Sequence, residues 1–191
     1  GGDSNGGGGG TQTSAAPSDV ASANDKGPVG IITEDPSCAP WGPITNTLID
    51  IEGKGWRDRD PSIPASSWTP QLRAQYDEVG KAWRVAADQS VQLAKITTHR
   101  VMRELYEQSI AYMRAYADSI LTYTQSDNSL ARTAATAGLV ITYICNGVSS
   151  GSAAARASLV PALKPPASIA PIGDVANPRR MFVTADAICP E

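Results

Sequence analysis

Residues 69–97, TPQLRAQYDEVGKAWRVAADQSVQLAKIT, decide the fold class. Leu72, Tyr76, Val79, Trp83, Ala86, Ser90 and Leu93 recur at alternating steps of four and three, which places them on one face of a helix. Thr69 is a good N-cap, and Pro70 suits the first helical position, where its missing N–H is not needed. The stretch predicts a long helix from Pro70 to about Thr97. It also opens a tract without proline from residue 71 to 160, although eight prolines lie in residues 1–70 and six in 161–191. A proline inside a helix costs about 3 kcal/mol, so so long a proline-free tract is a helical signature.

Two more long helices fit in that tract. Met102, Leu105, Ser109, Tyr112, Tyr116 and Ile120 form a second series, and Tyr106, Ile110 and Met113 widen it into a face for two neighbours. Arg100, Glu104, Glu107, Arg114 and Asp118 make the opposite, solvated side. With Ser126 or Asp127 as cap, Leu130, Ala134, Ala137, Ile141, Ile144 and Val148 give a third helix ending near Gly147 or Gly151. Upstream, Trp41, Ile44, Leu48 and Ile51 repeat the spacing and predict a short helix from Pro43 to Gly53. The expected fold is all-α, an irregular bundle of three long helices plus one short helix within residues 38–160.

Residues 133–155, TAATAGLVITYICNGVSSGSAAA, carry no charge over 23 positions, a length that can cross a bilayer. Thr, Ser, Asn and Gly supply much of the run, and its aliphatics cluster only from Leu139 to Ile144. A buried helix in close contact with a neighbour is therefore expected, and no membrane span within residues 1–191.

Both ends differ in composition from this centre. The opening GGDSNGGGGG lacks the strand, helix and Gly-Lys-Ser/Thr ending of a phosphate loop, and residues 1–37 read as a disordered Gly/Ser-rich tether. Such a start points to a removed leader or anchor before it. Residues 161–191 form a Pro-rich tail in which Pro165-Pro166 holds an extended segment. Met181, Phe182, Val183, Ile188 and Cys189 give that tail an apolar ending, so its last residues are expected to dock on the bundle.

A net charge of -3 offers no attraction to nucleic acid or anionic lipid. Cys38, Cys145 and Cys189 lie too far apart for a close thiolate pair of the kind that binds zinc, and no metal or cofactor is expected. In an exported protein two of them form a disulfide that closes a long loop. Cys38 with Cys145 pins the short helix to the third long one, and the alternative is Cys145 with Cys189.

Three features invite a chemical reading. His99 stands alone at the junction of the first two long helices and reads as an ordinary helix-start histidine. In GKGWRDRDPSIPASSWTP, residues 53–70, Asp58 and Asp60 offer paired carboxylates and Arg57 and Arg59 an anion site, but alternating Arg and Asp usually neutralise one another in a loop strapped down by Trp56 and Trp68. Tyr106, Tyr112, Met113 and Tyr116 combine apolar surface with adaptable shape, so they are candidate ligand-binding residues, with a plain core as the alternative.

The segments CAPWGPITNTL, GWRDRDPSIPASSWTP, HRVMRELYEQSIAYMRAYADSI and SSGSAAARASLVP together resemble a group of uncharacterised exported or membrane-anchored proteins of mycobacteria and relatives. The resemblance covers about residues 38–191. It implies a cell-envelope location and an all-helical domain behind a low-complexity tether, and it carries over no catalytic residue. The expectation is a non-enzymatic, extracytoplasmic accessory or protein-interaction domain of the cell envelope, secreted or tethered to the outer face of the cytoplasmic membrane, whose partner is another envelope protein. The alternative is a carrier of a lipid or other apolar ligand between the helices, and third comes an enzyme using Asp58, Asp60 or His99.

Overall fold

The computed structural model describes residues 19–182. They form five helices, four of them long: α1 (Cys38–Glu52), α2 (Pro70–Ile96), α3 (Arg100–Ser119), α4 (Asn128–Ser149) and α5 (Ser152–Ala157). Extended pairing among the described residues is confined to one antiparallel bridge between Val29 and Leu163.

Local chemistry sets the helix ends. The Leu72 N–H donates to Thr69 Oγ1 at 3.1 Å, and Pro70 follows as the first residue of α2. Thr124 and Asp127 form a capping box around a 3-10 turn that leads into α4. Gly151, at φ 74°, takes the left-handed turn between α4 and α5 that other residues rarely adopt. Of the expected face of α2, Tyr76, Val79, Trp83, Ala86, Ser90 and Leu93 are buried, and Leu72 is half-buried. Central α3 packs against both α2 and α4. Between α2 and the end of α3, Trp56, Trp68, Tyr76, Trp83, Tyr116 and Tyr123 form an aromatic cluster, with Trp68 stacked on Tyr76 at 3.8 Å between ring centroids.

Three expectations need correction. The first helix begins at Cys38, not Pro43, and is 15 residues long. Pro40 falls in the opening turn, where no backbone donor is required, and Pro43 withdraws only the donor that would have met the Ala39 carbonyl.

From Asp19 onward, the segment expected as tether lies on the bundle. Val20, Ser22, Asp35 and Ser37 are buried. The Ala21 N–H donates to the Lys95 carbonyl at 2.9 Å, Arg100 N–H to Asp25 Oδ2 at 2.7 Å, and Arg103 Nη1 to Ser22 Oγ at 2.9 Å. These short polar side chains gain order from partners in α2 and α3 that a composition cannot reveal.

The tail docks through its backbone more than through its apolar side chains. Arg114 Nη1 donates to the Ala176 carbonyl at 2.6 Å, and Tyr112 Oη donates to the Phe182 carbonyl at 3.0 Å. Val175 is buried, whereas Met181 and Phe182 are exposed. Val183, Ile188 and Cys189 lie outside the described residues.

Candidate functional site

A disulfide joins Cys38 and Cys145, whose Cα atoms are 5.2 Å apart. One helical turn on, Trp41 Nε1 donates to Thr142 Oγ1 at 2.9 Å. The first turn of α1 is thus fastened to the last turns of α4. Beyond this clasp the two antiparallel helices leave a groove of about 730 Å³.

Its buried lining comes from Trp41, Trp83, Ser109, Met113 and Ala134, and its exposed rim carries Asn46, Ile49, Leu139 and Asn146. The helices come close here, and a Cβ at Gly138 would meet Trp41 Cζ2 at 3.5 Å, in ordinary van der Waals contact. Small residues on α4 therefore let an indole form part of the wall.

The polar groups of the wall are largely satisfied from within. Thr142 Oγ1 accepts from Trp41 and itself donates to the Gly138 carbonyl at 3.0 Å, and Thr45 Oγ1 donates to the Gly42 carbonyl at 2.9 Å. At one end Glu52 Oε1 accepts from Trp83 Nε1 at 2.8 Å, while Oε2 lies 3.4 Å from Arg57 Nη2. At the other end buried Asp35 accepts from Ser37 N–H, Ser37 Oγ and Thr97 Oγ1, and Tyr106 Oη donates to Ser37 Oγ at 2.9 Å. The groove thus favours an occupant that is apolar along its length.

Of the four tyrosine and methionine candidates, Met113 alone lines this groove. Tyr106 is fully buried behind Trp41, with ring centroids 5.5 Å apart. Tyr116 is fully buried against Trp83 at 4.9 Å. Tyr112 is taken by the tail. Burial pushes the Tyr106 and Tyr116 hydroxyls well above their ordinary range.

The Arg-Asp loop and His99 do not converge. The loop precedes α2 and His99 follows it, and a helix of 27 residues separates its ends by roughly 40 Å. His99 Nε2 lies 2.9 Å from the Glu34 carbonyl, which can only accept, so this nitrogen is the donor. Asp60 caps Ser62 through N–H and Oγ, and these bonds hold its carboxyl below its ordinary range. Arg59 pairs with neither aspartate. Its guanidinium lies 3.4 Å over the Trp56 ring and donates to Tyr76 Oη, the Trp56 carbonyl and Asn128 Oδ1.

A family model of mycobacterial ESX-1 associated proteins matches residues 20–191. The chain belongs to this family. A relative from Mycolicibacterium smegmatis (strain MKD8), described as an uncharacterised protein, is 53% identical over 184 residues. The alignment takes in 96% of this chain and 49% of the relative, so the chain spans about half the length of the curated relative it matches. No solved structure matches.

In this ESX-1 associated chain, reasoning from sequence missed the groove because it looked for aromatic side chains. The usable signal was the uncharged run of α4. That run was expected as a buried helix, and Ala134, Ala137 and Ile141 are buried, but Leu139 is 49% and Tyr143 64% exposed. No helix of the described residues is long and apolar enough to cross a membrane. Among the same residues no group of three His, Cys, Asp or Glu side chains could hold a metal ion.

Proposed function

We propose that the chain is a non-enzymatic accessory domain of ESX-1 linked secretion, which holds a protein partner along the α1/α4 groove on the outer side of the cytoplasmic membrane. The carrying observation is the groove itself, apolar, about 730 Å³ in volume and held at one end by a disulfide. Family membership supports a role linked to secretion and to protein partners. The disulfide supports an oxidising compartment, since such bonds persist outside the cytoplasm.

The test is complementation of a gene deletion in the mycobacterial host, with secretion of ESX-1 substrates into the medium as readout. Ala135→Trp places a large side chain in the groove from a solvent-exposed position, so it blocks the site without entering the core. Deletion is expected to reduce secretion, the natural chain to restore it, and Ala135→Trp to fail. Undiminished secretion after deletion would overturn the function, and full rescue by Ala135→Trp would overturn the site. Protein isolated from the envelope fraction is expected to gain the mass of two hydrogens on reduction.

A second reading, a carrier of an apolar ligand, draws on the groove volume, which lies within the usual range of about 300–1,000 Å³ for small-molecule sites. Native mass spectrometry of envelope-derived protein selects it if a lipid-sized adduct is present and is missing from Ala135→Trp.

A further inference from the structure

We propose that residues 30–33, Gly-Ile-Ile-Thr, are an open strand edge that takes up an extended peptide of a partner protein, apolar at its centre and basic at its flanks. Just before them Val29 and Leu163 exchange both backbone hydrogen bonds, at 2.9 and 2.8 Å, as an antiparallel bridge. The bridge stops after this one pair for a chemical reason. In antiparallel register Ile31 faces Pro161, and proline has no N–H to give.

Residues 30–33 lie outside any helix or turn, and among the described residues none of their N–H or C=O groups is paired with another backbone group. Backbone groups alternate in direction along a strand, so Gly30 and Ile32 turn theirs to the edge away from Leu163. The run is nevertheless fastened on both sides. Asp25 Oδ2 accepts from the Arg100 N–H and the Asp25 carbonyl from Arg100 Nη1, each at 2.7 Å. His99 Nε2 donates to the Glu34 carbonyl at 2.9 Å, and Thr97 Oγ1 donates to Asp35. Such fixing lowers the ordering cost of binding. The occupant whose own alternating donors and acceptors match this row is an extended polypeptide.

Beside the edge lies a pocket of about 400 Å³. Ile31, Ile32, Val101 and Ile144 make its lining largely apolar, and it shares no lining residue with the α1/α4 groove. It offers room for apolar side chains on the inner face of an added strand. Charge sets the flanks. Residues 19–37 hold four acids, Asp19, Asp25, Glu34 and Asp35, against one base, Lys26. Asp25 and Glu34 bracket the edge, and neither forms an ion pair among the described residues. A peptide with Lys or Arg at its ends complements them.

The test is selection of phage-displayed random peptides, about a dozen residues long, against the full 191-residue chain with its disulfide intact. Selected peptides are expected to alternate apolar residues between basic flanks. By NMR, a selected peptide is expected to slow amide exchange at Gly30 and Ile32 about tenfold or more. Methylating its backbone nitrogens one at a time is expected to abolish binding at every second position, a readout that leaves the chain itself untouched. Ala153→Trp, which fills the pocket, and Glu34→Lys are each expected to weaken binding about tenfold, while Ala135→Trp in the groove leaves it unchanged. Selection of no peptide, peptides that respond to Ala135→Trp, unchanged exchange at Gly30 and Ile32, or methylation without alternation would each overturn the proposal. So would slow exchange there before peptide is added. That result would assign the edge to residues 183–191 if their removal abolishes it, and to a second copy if dilution does. Failure here would leave the groove reading standing.

Discussion

Trp41 and Thr142 are 101 residues apart in sequence, and the indole N–H of one meets the hydroxyl of the other at 2.9 Å. The bond lies on the wall of the groove, where α1 crosses α4 beside Gly138. Thr142→Val removes the acceptor and leaves a buried indole N–H without a partner. A loss of about 1–3 kcal/mol is expected from urea unfolding. Trp41→Phe removes the donor and some packing as well, so a double-mutant cycle with Thr142→Val isolates the bond.

The Cys38–Cys145 bond closes a loop with a sequence separation of 107. Constraining an unfolded loop of this size is worth up to about 4.7 kcal/mol. Cys38→Ser with Cys145→Ser is therefore expected to lower unfolding stability by several kcal/mol. Reductant should lower the stability of the natural chain similarly and leave the double variant unchanged. Equal stability with and without reductant would contradict the disulfide.

Tyr116 is fully buried, and its hydroxyl has no hydrogen-bond partner. It stands near Trp56 Nε1, which is likewise unpartnered, without the alignment of a hydrogen bond. Tyr116→Phe keeps the ring packing and removes the unsatisfied group, so a gain of about 1 kcal/mol at neutral pH is expected. Burial raises the folded ionisation of Tyr116 above its ordinary value, and it does the same for Tyr106 and Tyr123. The unfolded chain then releases these protons first. The stability linked to them is fully present below about pH 10 and is lost as pH rises above it. Alkaline unfolding should coincide with the rise in tyrosinate absorbance from Tyr106, Tyr116 and Tyr123, at higher pH in Tyr116→Phe. Titration of these tyrosines in a chain that stays folded would refute this linkage.

The long helices were legible because their signals are local: a 3.6-residue spacing, Thr69 before Pro70, and an absence of proline. What could not be read depends on partners remote in sequence. Asp35, Ser37 and Thr97 form one buried cluster across a separation of 62 residues, so a polar segment counted as tether becomes part of the fold. The groove was hidden for a related reason, since spacing gives the face of each helix but not the divergence of two helices. Met113 was found because it lies on the buried face of α3, whereas the small residues of α4 announced a close neighbour without saying which one or that a groove would open beside it.

Arg59 decides how the loop between α1 and α2 is held. Alternation with aspartate suggested surface ion pairs, but its guanidinium stacks on Trp56 and donates in three directions, to Tyr76, Trp56 and Asn128. Asn128 is the first residue of α4, so one side chain ties the loop to two helices. Lysine keeps the charge but lacks the planar fork that reaches three acceptors while lying flat on an indole. Arg59→Lys is expected to cost about 2–3 kcal/mol in urea unfolding. Arg57 is the control. Its ion pair with Glu52 is half-exposed, and Arg57→Lys should change stability by no more than about 0.5 kcal/mol. Equal effects of the two substitutions would mean that Arg59 acts only as a surface charge.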